Sequence, residues 1–400
     1  MKLFNGFGSN QKVVGIDIGS SSIKLAQLVP TREGIALRKA GSALTPPDSV
    51  KNGIIMDPLG VAHAITALLE ALQVDATMGV GGVAGPAVAV RQLSLPNMSA
   101  KQRRQTIEWE ARNYISFPME DGIIESQIIG QSSGKDGQNM MDVMLVAAPR
   151  DMVDACAETM QLAGLEPLAV EMQAFAAMRT LVGLSSVDPQ ATVALVGIGA
   201  TFSEITIVQG ERFILSRIIP IAGNNLTEAI RSSLEVNWEE AELLKGGNLR
   251  IVLSEEERAN LEPAAQQASR AIEPLLDELI REIRRSLAYH DYQQKLPEAG
   301  AQGQGADQIL LSGGSAKLAG IDRYLQSQLS IPTAVVDIFG PEGLDAGMEN
   351  TVFLKEHAPT LVNAVGLALR EAPSWRAKGQ RSVRSARANE ELPRQEAAVR

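Results

Sequence analysis

Four short stretches of this 400-residue chain carry residue types and spacings suited to holding a polyphosphate. The first is Gly15-Ile16-Asp17-Ile18-Gly19-Ser20-Ser21-Ser22-Ile23-Lys24. A hairpin turn built of Gly and Ser offers backbone N–H groups and hydroxyls with little steric obstruction, and such a turn can wrap phosphate oxygens. Gly19, Ser20, Ser21, Ser22 and Lys24 are therefore candidate binding residues, with Lys24 neutralising phosphate charge. Asp17, at the end of an apolar run, is placed to hold Mg²⁺ through its waters. A tight hairpin with a surface lysine would read the same way.

The second stretch, Leu195-Val196-Gly197-Ile198-Gly199-Ala200-Thr201, offers Gly199, Ala200 and Thr201 in a counterpart turn, although alone it fits any hairpin. The third is Gly223-Asn224-Asn225-Leu226-Thr227-Glu228, followed by Glu239-Glu240-Ala241-Glu242-Leu243-Leu244-Lys245. Helical spacing sets Glu239, Glu242 and, less closely, Lys245 along one side. Gly223, Asn224, Glu242 and Lys245 are the candidates here, and a solvated charged face is the plain alternative. In the fourth, Ile309 to Gly320, Gly313 and Gly314 stand between a strand and a helix, with Ser315 and Lys317 beyond. Paired glycines let a flat ligand such as adenine approach the backbone, and a helix N-terminus favours an anion. A Gly-rich connector is the alternative.

The elements that must position these turns follow from periodicity. Val13–Ile18 and Ile23–Val29 read as strands around the first turn, with Gly34–Ala40 a third. Asp57–Leu72 has apolar residues at helical spacing, Gly79–Val90 is a strand region, and a helix starts at Ser99 and ends before Phe117-Pro118. Ile123–Gly130 and Met141–Ala148 are strands around a polar turn, and Met152–Ala163 is a helix closed by Gly164. After a polar boundary at Ser185–Gln190 the strand–turn–strand theme returns in Thr192–Ile198, Glu204–Val208 and Phe213–Ile219, an internal duplication. Asn225–Leu234 and Trp238–Leu244 are short helices, Pro263–Gln294 a long one, Pro297–Gly305 a loop and Gln308–Leu311 a buried strand. From Arg376 the chain is rich in Arg, Ser and Ala without periodicity and reads as disordered.

Composition bounds the rest. Hydrophobic residues make up 45% and aromatics 4%, so the cores rest on aliphatic side chains and Met. A formal charge of −10 argues against nucleic-acid partners. A single cysteine, Cys156, precludes an internal disulfide and fits a reducing cytoplasm; it reads as a packed apolar residue. Met1–Lys12 lacks a signal-peptide core, and no apolar run approaches the roughly 20 residues that span a bilayer. If the protein meets a membrane, a partner is expected to take it there.

Two Gly/Ser hairpins, a charged helix and a late Gly-Gly turn, in this order, resemble the actin, Hsp70 and sugar-kinase superfamily, in which two related domains close over a nucleotide. Within it, the chain from about Val13 to Arg370 resembles the PilM family of actin-like type IV pilus assembly proteins, close in fold to the division protein FtsA. The family-like pieces are Ile107–Ala111 with Tyr114–Pro118, Leu145–Arg150, Ala163–Pro167, Val170–Met172, Gly223–Glu228, the Glu240–Lys245 helix and Asn363–Arg370.

The resemblance implies an α/β, actin-like or FtsA-like ATPase fold of two duplicated RNase H-like domains with inserted subdomains. Residues 1–84 and 149–187 would form subdomain 1A, 85–148 an inserted subdomain 1C, 188–224 and 306–370 subdomain 2A, and 225–305 subdomain 2B, with 371–400 a tail. It implies ATP or ADP with Mg²⁺ as ligands, and a place in the cytoplasm at the inner membrane among other pilus assembly proteins. It also implies a partner: the cytoplasmic N-terminal peptide of a PilN-like inner-membrane protein, held in a groove between 1A and 1C. Gly197 stands where the superfamily commonly has Asp, which points to slow or absent hydrolysis; Glu171 lies where relatives place a water-orienting group. A small-molecule kinase lacks a convincing general base here, and an FtsA-like division protein would bring a C-terminal amphipathic helix that this tail does not offer.

Overall fold

The computed structural model describes residues 12–371 except 32–33, 135–136, 185–187, 189, 248, 295–304, 340–342 and 346–350. The tail from Arg376, nearly all of the Pro297–Gly305 loop and most of the Ser185–Gln190 boundary lie outside the described residues. The first half runs β1 (Val13–Ile18), β2 (Ser22–Pro30), β3 (Ile35–Leu44), β4 (Val50–Lys51), β5 (Ile54–Ile55), α1 (Pro58–Ala71), β6 (Met78–Val83), β7 (Ala89–Pro96), α2 (Ala100–Ala111), β8 (Gly122–Ser133), β9 (Asn139–Pro149), α3 (Arg150–Leu162), β10 (Glu166–Met172) and α4 (Gln173–Leu184). The second runs β11 (Thr192–Ile198), β12 (Ser203–Gln209), β13 (Arg212–Ile219), α5 (Gly223–Leu234), α6 (Trp238–Gly246), α7 (Glu255–Ala259), α8 (Pro263–Gln294), β14 (Gln308–Ser312), α9 (Ile321–Leu329), β15 (Thr333–Val335) and α10 (Thr351–Leu369).

Local chemistry sets several boundaries. Asp57 caps α1 by accepting from the Gly60 N–H at 3.0 Å, ahead of a proline at the first helical position. Ser99 and Gln102 form a capping box that starts α2. That helix ends at Ala111, short of Phe117, because Asn113, Tyr114 and Ile115 turn back onto the Glu110 and Ala111 carbonyls.

The two halves repeat one topology. The first sheet has the order β3-β2-β1-β6-β10 and the second β13-β12-β11-β14-β15. In each, the first three strands are antiparallel and the last two are added in parallel. The central strand β1 is buried at every position, as a strand covered on both faces must be. α1 and α3 cover one face of the first sheet, and α5 and α8 share a core with the second.

α4 and α10 lie between the two sheets. One cluster joins Ala26 and Leu37 of the first sheet, Val193, Leu195, Val208 and Leu310 of the second, and Leu361, Val362 and Val365 of α10. α10 packs on β1, β2 and α4 as well as on β14, because Gly15 and Gly366 leave room: a Cβ on Gly15 would sit 2.1 Å from the Ala364 carbonyl oxygen, and one on Gly366 2.0 Å from that of Ala176. The Thr180 hydroxyl donates to the Val362 carbonyl at 2.8 Å, tying the two helices further.

The insert is a three-stranded antiparallel sheet, β7-β9-β8, with α2 against one face. Ile107 and Ala111 are buried with Leu93, Leu95, Val143 and Leu145 in the insert's own core. The opposite face, through Val90 and Met144, joins the first domain's core together with Phe213 of β13. Among the described residues no helix is long and apolar enough to cross a membrane.

The α10 crossing tolerates no side chain at residue 366. Gly366→Val is expected to lower stability by about 3 kcal/mol in urea unfolding. Gly130→Ala, whose Cβ would meet nothing nearer than 3.5 Å, is expected to stay within about 0.5 kcal/mol.

Candidate functional site

Between the two halves opens a cleft of about 830 Å³. Of the residues singled out from the sequence, Asp17, Gly19, Ser20, Ser21, Ser22, Lys24, Gly199, Ala200, Thr201, Gly223, Asn224, Glu242, Lys245, Gly313, Gly314, Ser315 and Lys317 all line it. Four segments separated by up to about three hundred residues thus share one concavity.

The first hairpin closes with the Gly19 N–H donating to the Ser22 carbonyl at 3.1 Å, and the Thr45 hydroxyl donates to the Gly19 carbonyl at 2.6 Å. Asp17 ends β1 almost fully buried, with Lys24 Nζ 3.7 Å from its Oδ2. Burial pushes the Asp17 carboxyl above the ordinary carboxylate range, and Lys24 offsets this only in part. Gln173, the first residue of α4, donates to Asp17 Oδ1 at 2.8 Å and accepts from Asn363 of α10 at 3.3 Å. The acid is therefore held from β1, β2, α4 and α10 together.

The second hairpin is braced by α5. The Gly223 and Asn224 N–H groups donate to the Gly199 and Ala200 carbonyls at 2.9 and 2.8 Å. A Cβ on Gly223 would lie 2.5 Å from Ser315 Oγ and 3.2 Å from the Gly199 carbonyl oxygen, so a side chain there would displace the serine hydroxyl. Ser20 Oγ and Thr201 Oγ1 lie 3.0 Å apart, so the two hairpins meet through their hydroxyls.

The charged helix is not solvated at Lys245, although the Glu242 side chain stays 40% exposed. Lys245, its side chain only 12% exposed, donates to Thr227 Oγ1 and Glu242 Oε1 at 2.6 Å each and to the Gly223 carbonyl at 3.2 Å. Glu239, on the same side by spacing, is exposed. Trp238, Gly246, Gly247 and Leu249 extend the cleft past these groups.

The Gly-Gly turn needs its first glycine twice over. Gly313 has φ of 87°, and a Cβ there would be 2.4 Å from the Ile198 carbonyl oxygen. Its N–H donates to the Pro359 carbonyl of α10 at 2.8 Å. Gly314 faces open space. No α-helix follows directly: Gly314–Lys317 is one 3₁₀ turn, and α9 begins only at Ile321 after Gly320. The helix N-terminus expected here is not beside the paired glycines.

Glu171 is not among the cleft's lining residues. Its carboxylate is bound by Arg179 at 2.7 and 3.0 Å and by Arg370 at 3.1 Å, with little exposure on any of the three. A carboxylate so engaged joins β10 to α4 and α10 and has no geometry for orienting water. Gln173, two residues on, faces the cleft instead. The sequence reading passed over Gln173, Asn363 and Glu204. Glu204 has the one available signal, a strand parity shared with Thr206, which also lines the cleft.

The residues suit a nucleotide: backbone that excludes side chains at Gly199 and Gly313, three lysines, and a buried acid able to face a hydrated cation. Keeping Asp17 ionised without ligand opposes folding. A carboxyl whose pKa is raised by folding stabilises fully below its unfolded pKa of about 3.9, and that contribution is lost as pH rises through the folded value. Asp17→Asn is accordingly expected to melt above the parent at pH 7–8 without nucleotide, the gap closing toward pH 3, in thermal scans by circular dichroism.

The chain matches the family model described as type IV pilus assembly protein PilM over residues 15–372. It is similar to a chain of the solved PilM-PilN type IV pilus biogenesis complex, with 25% identity, a TM-score of 0.74, and coverage of 90% of this chain and 98% of that one. Cell division protein FtsA of Pseudomonas aeruginosa is 23% identical over 380 residues, covering 86% of this chain and 87% of FtsA. FtsA of Bacillus subtilis is 25% identical over 260 residues, 59% of this chain and 58% of that protein, so the matched stretch spans little more than half of that relative. The duplicated five-stranded domains have the actin-like ATPase fold. With this fold, and a family match running through both of its halves and the insert, the chain belongs to the type IV pilus assembly PilM family.

Proposed function

We propose that the protein is a nucleotide-binding scaffold that recruits a bitopic membrane partner to pilus assembly at the cytoplasmic face of the inner membrane. The convergence of both hairpins, the Lys245 cluster and the Gly313 turn on one cleft carries the nucleotide half of the proposal. ATP or ADP would lie with its phosphates between the hairpins, taking the place of the Ser20–Thr201 bond and so being held by both halves. Lys24 supplies positive charge, and Asp17 holds the waters of a magnesium ion that screens the phosphates. The base would lie toward Lys245, Gly246 and the Gly313–Gly314 turn.

Gly197 has no side chain to take a proton, Glu204 across the ladder is engaged by Ser216, and Gln173 can orient water but cannot take its proton. Hydrolysis is therefore slow. ATP is expected to bind in calorimetry while steady-state turnover stays below about 1 s⁻¹, the low end of the ordinary enzyme range. Faster turnover would show that the site is built for catalysis.

The partner half rests on the likeness to a chain of the PilM-PilN complex. The peptide would lie between the first domain and the insert, backbone pairing and alternate side-chain pockets sharing the recognition. Deleting the insert is a poor test, since Val90 and Met144 belong to the first domain's core. Surface charges are better. Met56 and Leu59 are exposed on the first domain, and Trp109, Ile128 and Ile129 on the insert. A synthetic peptide of the cytoplasmic N-terminus of a PilN-like protein is expected to bind the full chain. Leu59→Asp or Ile129→Asp is expected to weaken it at least 10-fold with ATP affinity unchanged. No binding to the parent chain sinks the docking role; binding that neither charge affects moves the partner site elsewhere.

A further inference from the structure

Glu204 is an acid that no role described so far requires. It opens β12 directly across the antiparallel ladder from Gly197 of β11. Residues directly opposed in such a ladder project to the same face of the sheet, with Cβ atoms about 5 Å apart. That face is the cleft: Leu195, Gly197, Glu204 and Thr206 all line it, with Asp17, Lys24 and Gln173. Gly197 leaves the neighbouring space open, because a Cβ built on it meets nothing closer than Ser312 Oγ at 3.4 Å.

The carboxyl is also anchored. Ser216 of β13 donates to Glu204 Oε1 at 2.7 Å, which fixes one oxygen of a residue that lines the cleft. Burial pushes the group above the ordinary carboxylate range, and the Ser216 bond recovers part of that. Its ion-pairing neighbours on the same strands are turned away: Arg217, opposite Ile205, pairs at 2.6 Å with Glu282 of α8. A partly buried, desolvated acid with no cationic partner among the described residues destabilises the fold. Its retention beside a glycine in the cleft needs a reason that packing does not supply.

We propose that Glu204 is a positioning residue of the cleft, its carboxyl reaching into the space left by Gly197 to hold water of a phosphate-bound divalent cation from the second domain, opposite Asp17 in the first. The inference rests on the nucleotide reading of the cleft and deepens it. The two acids then flank the phosphates from opposite domains, so cation and nucleotide together draw the halves onto one another.

Glu204→Gln tests this, since the amide oxygen still accepts from Ser216 while the charge is lost. A second variant, Gly197→Asp with Glu204→Gln, moves the acid across the ladder into space that a Cβ fits without contact below 3.4 Å. Calorimetric titration of ADP into the full-length protein is run with Mg²⁺ and again with EDTA, with circular dichroism checking that each variant is folded. The parent is expected to bind ADP more tightly with Mg²⁺ than with EDTA. Glu204→Gln is expected to lose about 10-fold of that tightening, with the EDTA affinity unchanged, and the double variant to regain it. An equal Mg²⁺ effect in parent and Glu204→Gln overturns the inference, as does an equal weakening with Mg²⁺ and with EDTA, which marks a purely structural acid. Failure of the double variant to regain the effect overturns the claim that the acid serves the space beside Gly197. A parent that binds no ADP in either medium overturns the nucleotide reading itself, and this inference with it.

Discussion

The architecture depends on one helix crossing that excludes side chains. α10 lies against β1 at Gly15 and against α4 at Gly366, where in each case a single Cβ would fall within about 2 Å of a backbone oxygen. Interiors are packed to near-crystalline density, so clearance of that kind comes only from an absent side chain. With the helix at that depth, one apolar cluster can join both sheets, and the two halves become walls of a common cleft. The same placement brings Asn363 to Gln173, Gln173 to Asp17, and the Pro359 carbonyl to the Gly313 N–H. Two bonds of α10, with the Gln173–Asp17 bond as the link from α4, thus fix the first hairpin's acid relative to the fourth motif.

The cleft is where the molecule gives up stability. Asp17, buried, and Glu204, partly buried, are both held above their ordinary range by desolvation, the first with a lysine at 3.7 Å and the second, among the described residues, with a serine. Elsewhere buried charge is compensated. Glu171 has two arginines, and Arg258 is bound by Glu255, Glu273 and Ser269. The contrast separates structural ion networks, which are closed, from groups left facing open space for a ligand.

The insert divides its own labour by face. α2 seals one side of its sheet with Ile107 and Ala111, while Val90 and Met144 on the other side merge with the first domain's core beside Phe213. Phe213 comes from β13 of the second half and meets Phe175 of α4 edge-on at 5.0 Å. The insert, the first domain and a strand of the second therefore meet at one aromatic contact.

The local elements were legible because their signals are local. β1 and α8 have the bounds that periodicity assigns them, the caps at Asp57 and Ser99 start their helices, and the repeated strand–turn–strand pattern is a repeated sheet. Composition and turn chemistry also located all four cleft motifs. What the sequence could not determine lies where partners come from far along the chain. α4 and α10 sit between two sheets and are apolar on most sides, so neither carries the polar stripe that reveals an amphipathic helix, and α10 packs with the first half despite following the second. Glu171 and Gln173 differ by two positions where a strand gives way to a helix; only the packed arginines decide that the acid is closed off and the amide faces the cleft. The chain by itself determined which turns could hold phosphate. The tertiary structure decided which acids look at it, because the ladder register that sets Glu204 beside Gly197 exists only once the strands pair.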